Sequence, residues 1–285
     1  MDPHTLASKI LEWVEEDAPF GDLTSEALLP EDVRARAVIV AKSEGVAACF
    51  KDIAAALNIL GVRAASDLRD GTRFKRGDTV MTLEGSAKQL LLLERTVLNL
   101  MTYLSGVATR TVNLVSIVKR VNEGVRVAAT RKVLPGLREL VKKAVAAGGG
   151  DTHRFSLSDA IIIKDNHIAL AGGVEEALRR VLGRKSFIHK VEVEVRTPHD
   201  AVKAAELGAD VVMLDNMGVE EVRETLNLLK ARGLRDSVIV EVSGGIDEGN
   251  APRYASLGPD VISTSVITMH PARVDLSMEV VRGEG

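Results

Sequence analysis

From about residue 107 the chain repeats one rhythm, a short apolar run followed by an amphipathic stretch, and this alternation restricts the fold more than any other feature. VRVAA (125–129), AIIIK (160–164), KVEVEV (190–195), DVVMLD (210–215), VIVEV (238–242) and DVISTS (260–265) read as strands. Between them LRELVKKAVAA, VEEALRRVLG, PHDAVKAAELG, residues 219–232 and a segment around 248–257 carry helical spacing. The third of these is marked at both ends, by Thr197 as cap, Pro198 in the first turn and Gly208 beyond the last. Six strands separated by helices are the signature of parallel βα units, because a parallel pair needs a crossover and a helix makes it compactly. Eight would close a full (β/α)8 barrel, so six make either a smaller barrel or an open sheet, and periodicity leaves both open.

The first hundred residues lack that regularity. Residues 5–16 put Leu6, Ile10, Trp13 and Val14 on one helical face. ARAVIVA and EGVAACF read as strands, KDIAAALNILG as a helix closed by Gly61, and DTVMTLEG as a strand. A long helix is expected from Ser86 to Gly106. The mixture predicts an α+β layer over residues 1–107, ahead of a second domain of alternating βα units over 108–270, so the fold class of the whole is α/β.

Composition excludes several functions. The 37 basic against 40 acidic side chains give a net charge of −3, against the basic excess of a chain that coats nucleic acid. Aromatic residues make up only 3 %, too few for base-stacking platforms. A single cysteine, Cys49, rules out an internal disulfide framework and reads as a small buried hydrophobe. No apolar run spans a membrane and the amino-terminal residues lack a signal pattern, so a soluble, cytoplasmic protein is expected.

The strand ends carry the chemistry. In order they finish in Thr130-Arg131-Lys132, Lys164-Asp165-Asn166-His167, Asp215-Asn216, Ser243-Gly244-Gly245 and Thr264-Ser265, while the third strand carries Glu192 and Glu194. In parallel α/β folds, sites collect at that end. Arg131, Lys132, His153, Arg154 and Lys164 form a cationic set, and guanidinium groups grip carboxylate or phosphate bidentately, so a small polyanionic ligand is indicated. Ser243-Gly244-Gly245, after a strand and before a helix, suits a phosphate cradle of backbone N–H groups. In VEVEV the valines alternate with the glutamates, so valines packed outward turn Glu192 and Glu194 inward. Glu194 and Asp215 fit inside this basic rim, and an inward Glu192 or Glu194 suits either Mg²⁺ or sugar-hydroxyl binding, or an internal salt bridge to a lysine. No zinc-type histidine spacing, GxSxG elbow or Walker loop is present.

The chain also resembles the quinolinate phosphoribosyltransferase family along nearly its whole length. EDAPFGDLT (16–24), ERTVLNLMTYLSGVAT (94–109), TRKVLPGLR (130–138), GGGDTHRFSLSD running into IIIKDNHI, then EVEV, MLDNM and SGGI follow the family's order. The resemblance implies an amino-terminal α/β sandwich, to which the last segment (271–285) returns, and a shortened, six- to seven-stranded α/β barrel. It implies transfer of phosphoribosyl from 5-phosphoribosyl-1-pyrophosphate to quinolinate with decarboxylation, giving nicotinate mononucleotide.

Position by position it makes Thr130, Arg131, His153 and Arg154 quinolinate ligands, with Lys132 and Lys164 bridging toward the phosphates. Arg95 resembles the arginine that enters a neighbouring subunit's pocket, which implies a homodimer with shared sites or a larger assembly such as a hexamer. Glu194 and Asp215 resemble the acids that hold ribose hydroxyls and, directly or indirectly, Mg²⁺. Ser243, Gly244, Gly245, Thr264 and Ser265 fall at the 5-phosphate site. Departures from the pattern lie at Ala129, Val133-Leu134, Thr152 and from Ser265 to Met269, with His270 one position on. Two other readings compete: a paralogue using nicotinate or another aromatic acid, and a non-catalytic phosphosugar-binding barrel, which would have no use for Glu194 and Asp215 together with two carboxylate-binding arginines.

Overall fold

The computed structural model describes residues 1–281. No helix among them is long and apolar enough to cross a membrane. The chain forms two compact units, one of Met1–Arg110, Glu139–Gly149 and residues 270–281, the other of Thr111–Arg138 and Gly150–Met269.

The first unit begins with α1 (Pro3–Asp17), capped by Asp2, whose carboxylate accepts from the Thr5 amide, and buries the stripe Leu6, Ile10 and Val14. α2 (Leu23–Leu28) and β1 (Arg34–Ala41) follow. EGVAACF yields only the short β2 (Gly45–Val46), because Cys49 takes φ 62°, a left-handed turn that stops an extended run and starts α3 (Phe50–Ile59). Then come β3 (Arg63–Ala65), β4 (Arg73–Phe74), β5 (Thr79–Ser86) and α4 (Ala87–Val121). With β12 (Leu276–Val281), these build an antiparallel sheet in the order β12-β1-β5-β3, with β2 and β4 as a separate ribbon.

α4 does not end at Gly106 but continues to Val121. A Cβ at Gly106 would sit 2.4 Å from the Ala272 carbonyl oxygen, and the Ala272 amide donates to the Gly106 carbonyl at 3.1 Å. The glycine is where the returning chain docks on the helix, and the helix pays only a modest propensity cost for it.

The second unit contains β6 (Arg126–Ala129), β7 (Ile161–Ile163), β8 (Val191–Val195), β9 (Val211–Asp215), β10 (Ile239–Ser243) and β11 (Val261–Thr264). α5 (Arg138–Ala147) lies between β6 and β7, yet residues 139–149 cluster with the first unit, outside the barrel domain to which the alternation assigns them. There Lys143 pairs with Asp52 at 2.6 Å. α6 (Asp165–Ala171), α7 (Val174–Leu182), α8 (Pro198–Glu206), α9 (Val219–Ala231), α10 (Ala251–Ala255) and α11 (Val266–Met269) complete the chain order.

The parallel strands run β6-β11-β10-β9-β8-β7. From β7 to β11 each strand neighbours its successor, and the last pairs with the first, the neighbour order of a barrel. Among the described residues β6 and β7 share no ladder; Asp151 instead bridges to Ala128 along β6. The alternation thus resolves into a six-stranded barrel open at one seam.

Paired residues on neighbouring strands share a face, so register assigns the two sides. Val191, Val193, Val195, Val212, Leu214, Val240, Val242 and Ile262 are all buried on one face. The opposite, inner face carries Ile162, Glu192, Glu194, Met213, Asp215, Glu241, Ser243 and Ser263.

Gly106→Ala is expected to lower stability by about 1–3 kcal/mol, the cost of forcing an atom into a packed site. Denaturant titration checks it; an unchanged midpoint would show that the Ala272 segment yields freely.

Candidate active site

Glu192 and Glu241 face each other inside the barrel from β8 and β10, both buried. The imidazole of His153 meets them, its Nε2 3.1 Å from Glu241 Oε2 and 3.5 Å from Glu192 Oε2. Nδ1 accepts the Arg154 amide at 2.7 Å, which places the neutral ring's proton on Nε2, facing the acids. His153 adopts φ 54°, and its own amide donates to Asp151 Oδ1 at 2.7 Å. The remaining oxygens, Glu192 Oε1 and Glu241 Oε1, are buried without a hydrogen-bond partner. Burial, and then the adjacent Glu241 charge, push the Glu192 carboxyl up to about 8 against the pull of His153, Arg154 and Lys164.

Cations lie beside this acidic floor. Lys164 pairs with Glu194 across adjacent strands β7 and β8, realising the internal salt bridge. Arg154 donates to the Ala160 carbonyl at 2.9 Å. Burial and the like charge of Arg131 depress the Arg154 pKa, outweighing Glu192 and Asp159. Arg131 has a buried Nε with no hydrogen-bond partner. Two half-buried guanidinium groups therefore stand close enough to repel, an arrangement that an anion would relieve. Lys132 is exposed; its amide donates to Thr130 Oγ1 at 3.1 Å and its carbonyl accepts from Thr268 Oγ1 at 2.7 Å.

At the end of β9, Asp215 accepts from Asn216 Nδ2 at 2.9 Å and lies 3.6 Å from Arg196 Nε. Arg196 also reaches Asp165 at 3.1 Å. Asn216 is left-handed (φ 55°), and its amide donates to the Ser243 carbonyl at 2.9 Å. Gly244, at φ 94°, is required here: a Cβ would lie 2.5 Å from Asn216 Oδ1. Ser243 Oγ accepts from Ser263 Oγ at 2.9 Å. Gly245 does not lead straight into a helix, since α10 starts only at Ala251, so the cradle rests on the two positive-φ glycines rather than a helix end.

The inner wall thus gathers Lys164, Glu194, Asp215 and Ser243 at one end of the strands, with His153, Arg154 and Arg131 among them. Thr264 differs: it lies on the opposite face, buried, donating to the Ile246 carbonyl at 2.6 Å and accepting from the Val266 amide at 3.1 Å. Ser265 is half-buried just beyond it. Arg95 is exposed on α4 in the first unit. Sequence reasoning missed Glu241 and Arg196. Both were marked by period two, since Glu241 precedes Ser243 by two residues and Arg196 follows Glu194 by two. Glu194 and Asp215 are oxygen donors on one face of adjacent strands, a set that fits a hard cation completed by substrate oxygens.

Glu192 gives a pH signature. Near its ordinary 4.5 the unfolded chain starts to ionise while the folded chain keeps the proton to about 8, so this group lowers stability as pH rises across that window. Glu192→Gln should gain stability relative to the parent on going from about pH 5 to about pH 8. Denaturation midpoints at both pH values check this; a constant gap would overturn the assignment.

Residues 22–105 match the family model described as the quinolinate phosphoribosyl transferase N-terminal domain, and residues 107–279 that of the C-terminal domain. A relative from Methanothermobacter thermautotrophicus, named "Probable nicotinate-nucleotide pyrophosphorylase (carboxylating)", is 49 % identical over 271 residues, covering 95 % of this chain and 97 % of that one. The Homo sapiens carboxylating nicotinate-nucleotide pyrophosphorylase is 37 % identical over 278 residues, 98 % of this chain and 92 % of its own. The solved nicotinate-nucleotide pyrophosphorylase of Francisella tularensis superposes with a TM-score of 0.88 at 33 % identity, covering 99 % of this chain and 98 % of that one.

Proposed function

Because the chain belongs to the quinolinate phosphoribosyltransferase family, we propose that it transfers phosphoribosyl from 5-phosphoribosyl-1-pyrophosphate to quinolinate, releasing pyrophosphate and CO₂ and giving nicotinate mononucleotide. The observation that carries this reading is the proximity of Arg131 and Arg154, with the buried Arg131 Nε unpartnered. Quinolinate is a dianion, and two guanidinium forks suit its two carboxylates.

The chain's residues account for the steps. Arg131 and Arg154 hold the pyridine ring by its carboxylates and aim its nitrogen at C1 of the ribose. Lys164 and the exposed Lys132 attract the phosphates. As the bond to pyrophosphate lengthens, C1 gains oxocarbenium character, and the carboxylates of Glu194 and Asp215 stabilise it while binding the ribose hydroxyls. Gly244 and Gly245, with Ser243, offer backbone N–H groups and a hydroxyl to the 5-phosphate. Mg²⁺ held by Glu194 and Asp215, directly or through water, would neutralise charge on the pyrophosphate. Once the glycosidic bond has formed, the C2–carboxylate bond breaks to release CO₂, the adjacent cationic ring nitrogen stabilises the electron pair left on C2, and a proton taken from water fills that position, so the step asks of the protein mainly that the ring stay still. The exposed Arg95 serves a neighbouring subunit, which makes the working unit a homodimer or a larger assembly. A cytoplasmic location suits these soluble, multiply charged substrates.

The purified protein with quinolinate, 5-phosphoribosyl-1-pyrophosphate and Mg²⁺ should consume quinolinate absorbance and release CO₂ stoichiometrically. Turnover with nicotinate alone would overturn the acceptor, and binding without any turnover would favour a phosphosugar-binding protein. Arg131→Ala should raise the quinolinate KM and lower turnover, costing about 2–4 kcal/mol in kcat/KM for a buried charged contact. A parental KM would refute the role of Arg131.

The shared site has its own test. Mixed Arg95→Ala and Lys132→Ala chains should regain part of the activity that each lacks alone. If the mixed assemblies stay inactive, Arg95 works within its own chain.

A further inference from the structure

Both ring nitrogens of His153 are engaged inside the fold. Nδ1 accepts the Arg154 amide at 2.7 Å, and Nε2, which therefore carries the proton, stands 3.1 Å from Glu241 Oε2. In this state the ring offers no spare donor to a substrate carboxylate. The residue also holds φ 54°, a conformation a non-glycine residue keeps only where its surroundings compel it. The compelling contacts are visible: the Asp151 carboxylate fixes the His153 amide at 2.7 Å, and the imidazole fixes the next amide along. That next residue is Arg154, whose guanidinium is tethered at one side by the Ala160 carbonyl at 2.9 Å. The chain of contacts thus runs from a buried acid on β10, through an imidazole of defined tautomer, to the backbone that carries an anion-binding arginine. Glu241 is the nearer of the two acids, since Glu192 stands at 3.5 Å, beyond the distance of a good hydrogen bond.

We infer that Glu241 is a positioning residue for the quinolinate site: by holding the His153 imidazole it fixes the turn at Arg154, and through it the grip on the ring carboxylates, without touching substrate. His153 is then a strut rather than a quinolinate ligand. The inference rests on the quinolinate-transfer reading of the site for its kinetic consequence, but the ring's tautomer can be read without turnover.

Loss of Glu241 should weaken capture of one substrate only. Glu241→Ala is expected to raise the quinolinate KM by about tenfold or more, since sub-ångström misplacement of a binding group is costly, and to leave the 5-phosphoribosyl-1-pyrophosphate KM within about twofold. Glu241→Gln, whose amide oxygen still accepts from Nε2–H, should restore most of the loss. In ¹⁵N spectra of histidine-labelled protein, with His153 assigned by its absence from His153→Asn, the parent should show the single Nε2–H tautomer and Glu241→Ala a mixture. If Glu241→Ala does not fold, Glu241→Leu keeps the buried volume without the acceptor and replaces it. An unchanged quinolinate KM, an equal rise in both KM values, or an unaltered tautomer in a folded variant overturns the inference. If the parent does not turn over quinolinate, the functional reading fails and the tautomer alone decides: a mixture supports the strut, and an unchanged Nε2–H form overturns it.

Discussion

Three carboxylates, Glu192, Glu194 and Glu241, project from parallel strands into the interior of a barrel where water reaches them poorly, and the site is organised around satisfying them. An isolated buried carboxylate is too costly to keep ionised, so each must find a cation, a hydrogen-bond donor or a proton. Glu194 takes Lys164, Glu241 takes the His153 Nε2–H, and Glu192, beside another acid, is driven toward the protonated form. These solutions fix Lys164 and the turn around His153, and that turn fixes where Arg154 begins. The inner wall is thus built outward from its acids, and the cationic residues beside them take their places from that floor.

The layering also explains how the pocket can be both stable and receptive. A cluster of arginines and lysines with no counter-charge would repel itself; at about 4 Å two like charges cost on the order of 4 kcal/mol at an effective dielectric of 20. A cluster fully paired with acids would have nothing left for substrate. Here compensation is partial: Lys164 has its glutamate, whereas Arg154 feels Glu192 and Asp159 but is still destabilised by burial and by Arg131. The unspent demand sits on the two guanidinium groups, and it fits a ligand with two carboxylates. Net charge over the whole chain is −3 and conceals this, because the mean says nothing of which side chains the strand ends bring together.

How much of this a sequence can disclose depends on the range of the interaction involved. The strands from 125 to 265 were legible because each is an apolar run closed by local turn chemistry, and the inward phase of Glu192 and Glu194 followed from alternation with valine. The same phase applied to VIVEV would have found Glu241. What stayed hidden depends on contacts between distant segments. Gly106 looks like a helix stop until Ala272 is seen against it, and the helix after β6 looks like a barrel helix until its packing with Asp52 is seen. Thr264 looks like its neighbours Ser263 and Ser265, yet a single step along a strand turns it to the opposite face, where loop carbonyls and amides consume its hydroxyl.

The end of β10 shows how the physical basis of a short motif can be misread from sequence. Ser243-Gly244-Gly245 suggests a phosphate held at the start of a helix, but the next helix begins only at Ala251 and is a single short turn or so long. The macrodipole argument therefore contributes nothing here. Gly244 is required for a different reason: Asn216, itself left-handed and bonded to the Ser243 carbonyl, occupies the space a side chain would need. That contact joins the ends of β9 and β10, so the residue following Asp215 and the glycine turn hold each other in place. Asn216 in turn donates to Asp215, which links that acid to the glycine turn at the end of β10. A substitution at Gly244 would thus disturb Asp215 as well as the turn, and the ends of β9 and β10 behave as one mechanical element.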